Sequence, residues 1–311
     1  MSERKPSITG IYLRGIAMGA ADVVPGVSGG TVAFITGIYQ QLLHSISAVN
    51  LVALRLLFSE GVGPCWRHIN GTFLLTFLLG ILTSVLSLAH MISYLLDNYP
   101  LYLWSYFFGL IAASSVHIGR QLSRWNPAAL ALLLLGTAIA YSVSQLTPVG
   151  VIPGPLMIFG GGALAICAMI LPGISGSLIL VLLGLYGPVL DAVKNFQWSM
   201  LLSFVAGCGV GLLLFSRLLS WLFSRFADLT LALLTGFLVG SLAIVWPWKH
   251  ALRFYQNSSG EQVVLSYQSV LPGSYEWLTG ELPHTLICLF LMMVGLLTIG
   301  LLSLGNGKSA N

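Results

Sequence analysis

Six stretches of about twenty residues, 70–96, 100–119, 128–146, 199–222, 229–248 and 283–303, contain between them one Asp, Glu, Lys or Arg, namely Arg217. At 1.5 Å rise per residue, each is long enough to cross roughly 30 Å of hydrocarbon as a helix. In lipid every backbone N–H and C=O must be satisfied by the protein itself, and helices do this within one segment. The chain as a whole agrees, with 57% hydrophobic and 7% charged residues among 311, where a soluble domain carries about 25% charged residues. The fold class expected is therefore an all-α polytopic membrane protein. Thirteen Lys and Arg stand against nine Asp and Glu, with no basic run, so nucleic-acid binding is excluded. Cys65, Cys167, Cys208 and Cys288 lack C-x-x-C spacing and neighbouring histidines, so neither a disulfide framework, a metal site nor a cofactor is expected. The basic N-terminus leads to no apolar region ending in a cleavage site, so no signal peptide is expected.

Two further apolar regions, 8–49 and 155–195, are interrupted near their centres by Pro-Gly-x-Ser-Gly, in "VVPGVSGGTV" at 23–32 and "ILPGISGSLI" at 170–179. Pro25 and Pro172 cannot continue a preceding helix. Gly26 and Gly173 permit a sharp turn, and Ser28 and Ser175 suit the start of a new helix. Each region reads as a re-entrant hairpin of two half-helices. If both hairpins return to their own side, Arg4, Lys5, Arg14, Arg55, Arg67, Arg120, Arg124, Arg217, Arg225 and Lys308 fall on or nearest one face. Lys194, Lys249 and Arg253 fall on the other. That asymmetry predicts cytoplasmic termini, with the long loop 249–282 outside.

Laying 15–46 on 162–193 aligns Gly15 with Gly162, Ala21 with Ala168, Pro25 with Pro172, Gly26 with Gly173, Ser28 with Ser175, Gly29 with Gly176, Gly37 with Gly184 and Tyr39 with Tyr186. An offset of 127 then pairs Phe77 with Phe204, Gly80 with Gly207, Ser93 with Ser220, Gly109 with Gly236 and Ser114 with Ser241. The order hairpin, span, span, span thus occurs twice, in 1–147 and 148–311. Three crossings per half is an odd number, so the second copy is expected to enter the membrane from the opposite side. An inverted repeat of this kind points to a secondary transporter whose site lies between the halves near the midplane.

Ser28, Gly29, Gly30 and Thr31, with Ser175, Gly176 and Ser177, could turn backbone N–H groups and hydroxyls toward one anion, the glycines admitting a bulky oxyanion. The competing reading is that the breaks only allow close helix packing. Arg14 and Asp22 lie eight residues apart on roughly one helical face, and Gly161 and Met169 take their places in the second copy. Ionisable residues inside a membrane segment are functional candidates. Arg14 either offsets an anion's charge or snorkels to the headgroups. Asp22 orients the tip or carries a proton or cation, since an ionised carboxylate beside a phosphate would repel it. His90 and Arg217 occupy equivalent positions, and with Arg120 they are candidate headgroup contacts or interfacial side chains. A reading from another class starts from Gly-x-Ser-Gly at 26–29 and 173–176, which resembles the serine motif of rhomboid intramembrane proteases and would need His90 or His117 as a base. The duplication and the preceding prolines argue against it. A carrier for a small organic anion is the alternative within transport.

The segments "GIAMGAADVVPGVSGGTVAFITGIYQ" and "LPGISGSLILVLLGLYGPVLDAV" resemble the bacterial polyprenyl-phosphate transporter family of the PopT type, across nearly the whole chain. Asp22 to Thr31 carries its specific element, D-x-x-P-G-x-S-G-G-T. The resemblance implies that the chain moves undecaprenyl phosphate from the outer to the inner leaflet of the cytoplasmic membrane, with that lipid and bulk membrane lipids as its partners. The second copy departs from the element, with Ser177 for Gly30, Leu178 for Thr31 and Met169 for Asp22, so the two tips are not expected to act alike.

Overall fold

The structure is a computed structural model and describes residues 7–24, 27–146, 153–256 and 262–307. Its first half runs α1 (Ile8–Val23), α2 (Gly29–Ile35), α3 (Tyr39–Ser47), α4 (Leu51–Ser59), α5 (Val62–His68), α6 (Gly71–Asn98), α7 (Pro100–Gly119) and α8 (Pro127–Gln145). The second half runs α9 (Pro155–Ile170), α10 (Gly176–Leu182), α11 (Tyr186–Lys194), α12 (Trp198–Arg225) and α13 (Ala227–Ser241), then β1 (Lys249–Gln256), β2 (Gln262–Ser269), α14 (Pro272–Thr279) and α15 (Thr285–Gly307). Helices α6, α7, α8 and α12 are each long and apolar enough to cross a bilayer. Many leucines of α6, α8 and α12 face outward, as Leu86 on α6 does at 82% exposure. Such a surface has lipid as its solvent, and the protein is a helical, multi-pass membrane protein.

Element lengths recur. Helices α1 and α9 have 16 residues, α2 and α10 have 7, α3 and α11 have 9, and α6 and α12 have 28. The insertion of α4 and α5 accompanies the change of sequence offset from 147 to 127. Packing partners recur as well, with α1 against α6 and α9 against α12, and α8 against α13 and α7 against α15. Small residues make the approach possible. A β-carbon at Gly80 would collide with the carbonyl of Tyr12, and one at Gly207 with that of Phe159, its repeat equivalent.

Three features depart from the sequence reading. The second arm of each hairpin is itself broken, at Gly37 (φ +74°) and Gly184 (φ +67°). There the amides of Ile38 and Leu185 reach back to the carbonyls of Ala33 and Leu180, while those of Gly37 and Gly184 reach Phe34 and Val181. This is the Schellman closure that a left-handed glycine permits, and α11 then leaves α10 at 105°. The span expected over 229–248 stops at Ser241, followed by turns to Val245. Pro247 cannot extend a helix and pushes its predecessor, Trp246, out of helical backbone.

The loop 249–282 contains two strands and a short helix, so the fold is not purely helical. Strands β1 and β2 form an antiparallel hairpin, pairing Lys249 with Ser269, and α14 follows. Below it, Trp246 Nε1 donates to the Val270 carbonyl at 2.8 Å and Trp248 Nε1 to that of Pro283 at 2.9 Å. Trp248 is thus a buried strut. The Lys249 ammonium lies 3.9 Å from the centre of the Trp104 ring and donates to the Ile244 carbonyl. Burial pushes its pKa down to about 7.

Candidate functional site

Helix α1 ends one residue before an extended Val24 (φ −84°, ψ 116°), and α9 before an equally extended Leu171 (φ −66°, ψ 129°). The chain re-enters helix after Ser28 and Ser175, whose backbones also match. Pro25 and Gly26 lie outside the described residues. In the second copy Gly173 has φ +86°, and a β-carbon there would sit 2.6 Å from the Phe237 carbonyl. Only glycine suits that position.

The two broken segments meet and interlock. Ser28 Oγ approaches the carbonyl oxygens of Leu171 at 2.8 Å and Met169 at 3.1 Å, while the Gly173 amide donates to Thr31 Oγ1 at 3.0 Å. A side chain at Gly30 would collide with the carbonyl of Ile170. The N-terminal turn of α2 therefore rests on the carbonyl end of α9, a pairing that satisfies groups a helix cannot satisfy within itself. Ser28 is 1% and Thr31 0% exposed. Irregular backbone at membrane depth is tolerated where protein supplies its partners in this way.

Asp22 completes the first tip. Its Oδ1 accepts from the Gly29 amide at 2.8 Å, and a β-carbon at Gly29 would strike the carboxyl group. Among the described residues Oδ2 is buried with no hydrogen-bond partner, as are Tyr39 Oη, Ser84 Oγ and Ser220 Oγ. Such groups in a native interior call for an ion, water or proton. Ser84 packs beside Gly19, three residues before Asp22. At the second tip Met169 occupies the place of Asp22, and Ser175 and Ser177 instead share a hydrogen bond of 2.8 Å.

Seven proposed phosphate ligands, Ser28, Gly29, Gly30, Thr31, Ser175, Gly176 and Ser177, thus belong to the two tips. Five of them are already engaged: Ser28 and Thr31 with the opposite hairpin, the Gly29 amide with Asp22, and Ser175 and Ser177 with each other. Arg14 is half-buried on α1, about 12 Å along the axis from Asp22. It does not sit at the tip. His90 is exposed on α6. Arg217 donates through Nη2 to the Val49 carbonyl at 3.1 Å, tying α12 to the segment after α3. Arg120 caps α7 and borders a cavity of about 300 Å³ with Trp125, Leu133 and Thr235. Among the described residues no histidine hydrogen-bonds Ser28 or Ser175. Sequence reasoning did not single out Tyr39 as a site residue. Its ring packs edge-on against Phe34 at 4.8 Å and its hydroxyl is buried, although the Tyr39–Tyr186 identity was visible in the repeat.

Fold and site together define a polytopic helical membrane protein in which two interrupted helical segments meet. The family described as undecaprenyl phosphate translocase-like matches residues 18–263, and the chain belongs to that family. It is 50% identical over 291 residues to the polyprenyl-phosphate transporter of Vibrio cholerae serotype O1, covering 93% of this chain and 94% of the relative. It is 32% identical over 254 residues to the polyprenyl-phosphate transporter of Staphylococcus aureus strain NCTC 8325, covering 76% and 85%. No solved structure matches.

Proposed function

We propose that the chain transports a polyprenyl monophosphate of the undecaprenyl phosphate class, from the outer to the inner leaflet of the bacterial cytoplasmic membrane, by alternating access between two inverted halves, 1–147 and 148–311. Both termini are placed in the cytoplasm. The names of the two relatives support the substrate class. Recurring helix lengths and packing partners support two halves that can exchange conformations.

The observation that carries the site is the Ser28–Leu171 and Gly173–Thr31 interlock. It joins one hairpin to the other through bonds that a phosphate can replace. Phosphate oxygens accept what the carbonyls of Met169 and Leu171 now accept from Ser28, and they also accept backbone N–H bonds from Gly29, Gly30, Gly176 and Ser177. Pro25, Gly26, Pro172 and Gly173 keep the tips unwound for this exchange. Asp22 must then release the Gly29 amide, and taking up a proton or cation removes its repulsion of the incoming anion. Arg14, His90, Arg120 and Arg217 lie away from the tips and act on the headgroup's approach and departure.

Titrating the purified protein with a short-chain polyprenyl monophosphate tests the site. Ser28→Ala combined with Ser175→Ala is expected to weaken binding at least tenfold, as lost charge-assisted hydrogen bonds of about 1.5–3 kcal/mol would. Unchanged affinity overturns the tip assignment.

A further inference from the structure

A crevice of about 480 Å³ lies between α8, α12 and α13. One end of it is shared with the tips. Leu171, whose carbonyl holds Ser28, and Phe237, whose backbone faces Gly173, both line it. The other end is Phe226 and Leu229, at the turn from α12 to α13. Leu229 and Phe237 are eight residues apart on one helix, about 12 Å along its axis, which is nearly the depth of one leaflet's hydrocarbon. Thr230 is its one polar lining residue, and that hydroxyl is committed to the Phe226 carbonyl at 2.9 Å.

The corresponding surface of the other half is built differently. Counting back 127 residues, Phe226, Leu229, Leu233 and Leu234 become Tyr99, Tyr102, Tyr106 and Phe107. Tyr99 and Tyr102 stack at 6.0 Å and Tyr106 meets Phe107 at 5.6 Å. Where the crevice has Leu229, Leu233 and Leu234, the equivalent positions of the other half carry aromatic rings in contact with their neighbours.

We infer that the crevice holds the isoprenoid chain of the transported lipid, its first units against Leu171 and Phe237 and the remainder leaving past Phe226 into the adjoining leaflet. The inference rests on the polyprenyl-phosphate reading and extends it from headgroup to tail. The occupant is chosen by chemistry. In a polyprenyl monophosphate the hydrocarbon begins directly at the phosphate ester, so a headgroup at the tips puts apolar carbon against Leu171 at once. A glycerophospholipid would put its ester oxygens there, beside walls whose only hydroxyl is already bonded, and burying unpaired polar atoms is costly.

The test uses full-length protein in proteoliposomes, a photoreactive C55 polyprenyl monophosphate bearing a diazirine near the phosphate end, and its ten-carbon counterpart. Crosslinks are expected on peptides containing Leu171 and Leu229–Phe237, displaced by unlabelled C55 polyprenyl phosphate and not by phosphatidylglycerol. Leu233→Trp, which fills the crevice, should slow movement of the C55 lipid at least tenfold and that of the ten-carbon lipid less than twofold. Crosslinks elsewhere, equal displacement by phosphatidylglycerol, or equal slowing of both lipids overturns the inference. Wild-type protein that moves neither lipid would remove the transport reading instead, while the crosslink positions would still decide what the crevice holds.

Discussion

Replacing Thr31 by Val swaps a hydroxyl for a methyl of nearly the same volume at a fully buried position, so the packing around α2 stays and the chemistry changes. The loss is specific. The Gly173 amide, 3.0 Å from Thr31 Oγ1, keeps its place against Phe237 but has no acceptor. A buried donor left unpaired costs about 1–3 kcal/mol. Taking about 2 kcal/mol, and about 1.36 kcal/mol per factor of ten, the interlocked arrangement loses roughly thirtyfold against any state in which the tips separate and water reaches this amide. Hydrogen–deuterium exchange of the 170–176 peptide in detergent or nanodiscs reads that opening directly. Thr31→Val is expected to raise the rate about thirtyfold, while Thr31→Ser, which restores the acceptor, should return most of the protection. Exchange unchanged in Thr31→Val would refute the claim that this bond holds the two hairpins together.

Gly173→Ala forces a side chain into left-handed backbone and against the Phe237 carbonyl, so the melting temperature of the purified protein should fall sharply while Gly187→Ala, where nothing lies within 4 Å, leaves it unchanged. Gly207→Leu should separate α9 from α12, detectable as accelerated exchange along both helices; retention of wild-type protection would show that their close approach is dispensable. Lys249 binds its proton more weakly when folded than unfolded, so the unfolded state holds the extra proton between about pH 7 and its ordinary value near 10.5. Stability should therefore rise with pH across that window, by at most about 1.4 kcal/mol per unit from this group. Lys249→Met should flatten that part of the melting profile, and an unchanged slope would contradict the weakened proton binding of the buried ammonium.

What the sequence disclosed was whatever hydrophobicity and chain breaks encode. The uninterrupted runs located the long helices, and Pro25 and Pro172 located the two interruptions because proline removes a donor and fixes φ. The breaks at Gly37 and Gly184 left their own trace, as repeated glycines after apolar turns, but left-handed backbone is not forced by glycine and the Schellman closure needs the fold around it. Hydropathy carried 229–248 past Ser241, since a turn walled by protein is as apolar as a span. The β-hairpin was hidden because its strands mix polar and apolar residues without strict alternation. At the site, residue types identified the tips but not their partners. That Ser28 would reach Leu171, and Thr31 the Gly173 amide, depends on how the hairpins meet, and no spacing within either one encodes it.

The central claim is that a polyprenyl phosphate crosses the membrane by way of the tips. Its most direct measurement is the rate at which labelled undecaprenyl phosphate in proteoliposomes becomes accessible to a phosphatase added outside, for wild type and for Gly29→Leu reconstituted in equal folded amounts. A leucine at Gly29 collides with the Asp22 carboxyl group and occupies the first tip. The account predicts rapid exposure of the lipid with wild type and a rate no faster than that of protein-free vesicles with Gly29→Leu. Wild-type rates from the Gly29→Leu protein would contradict it.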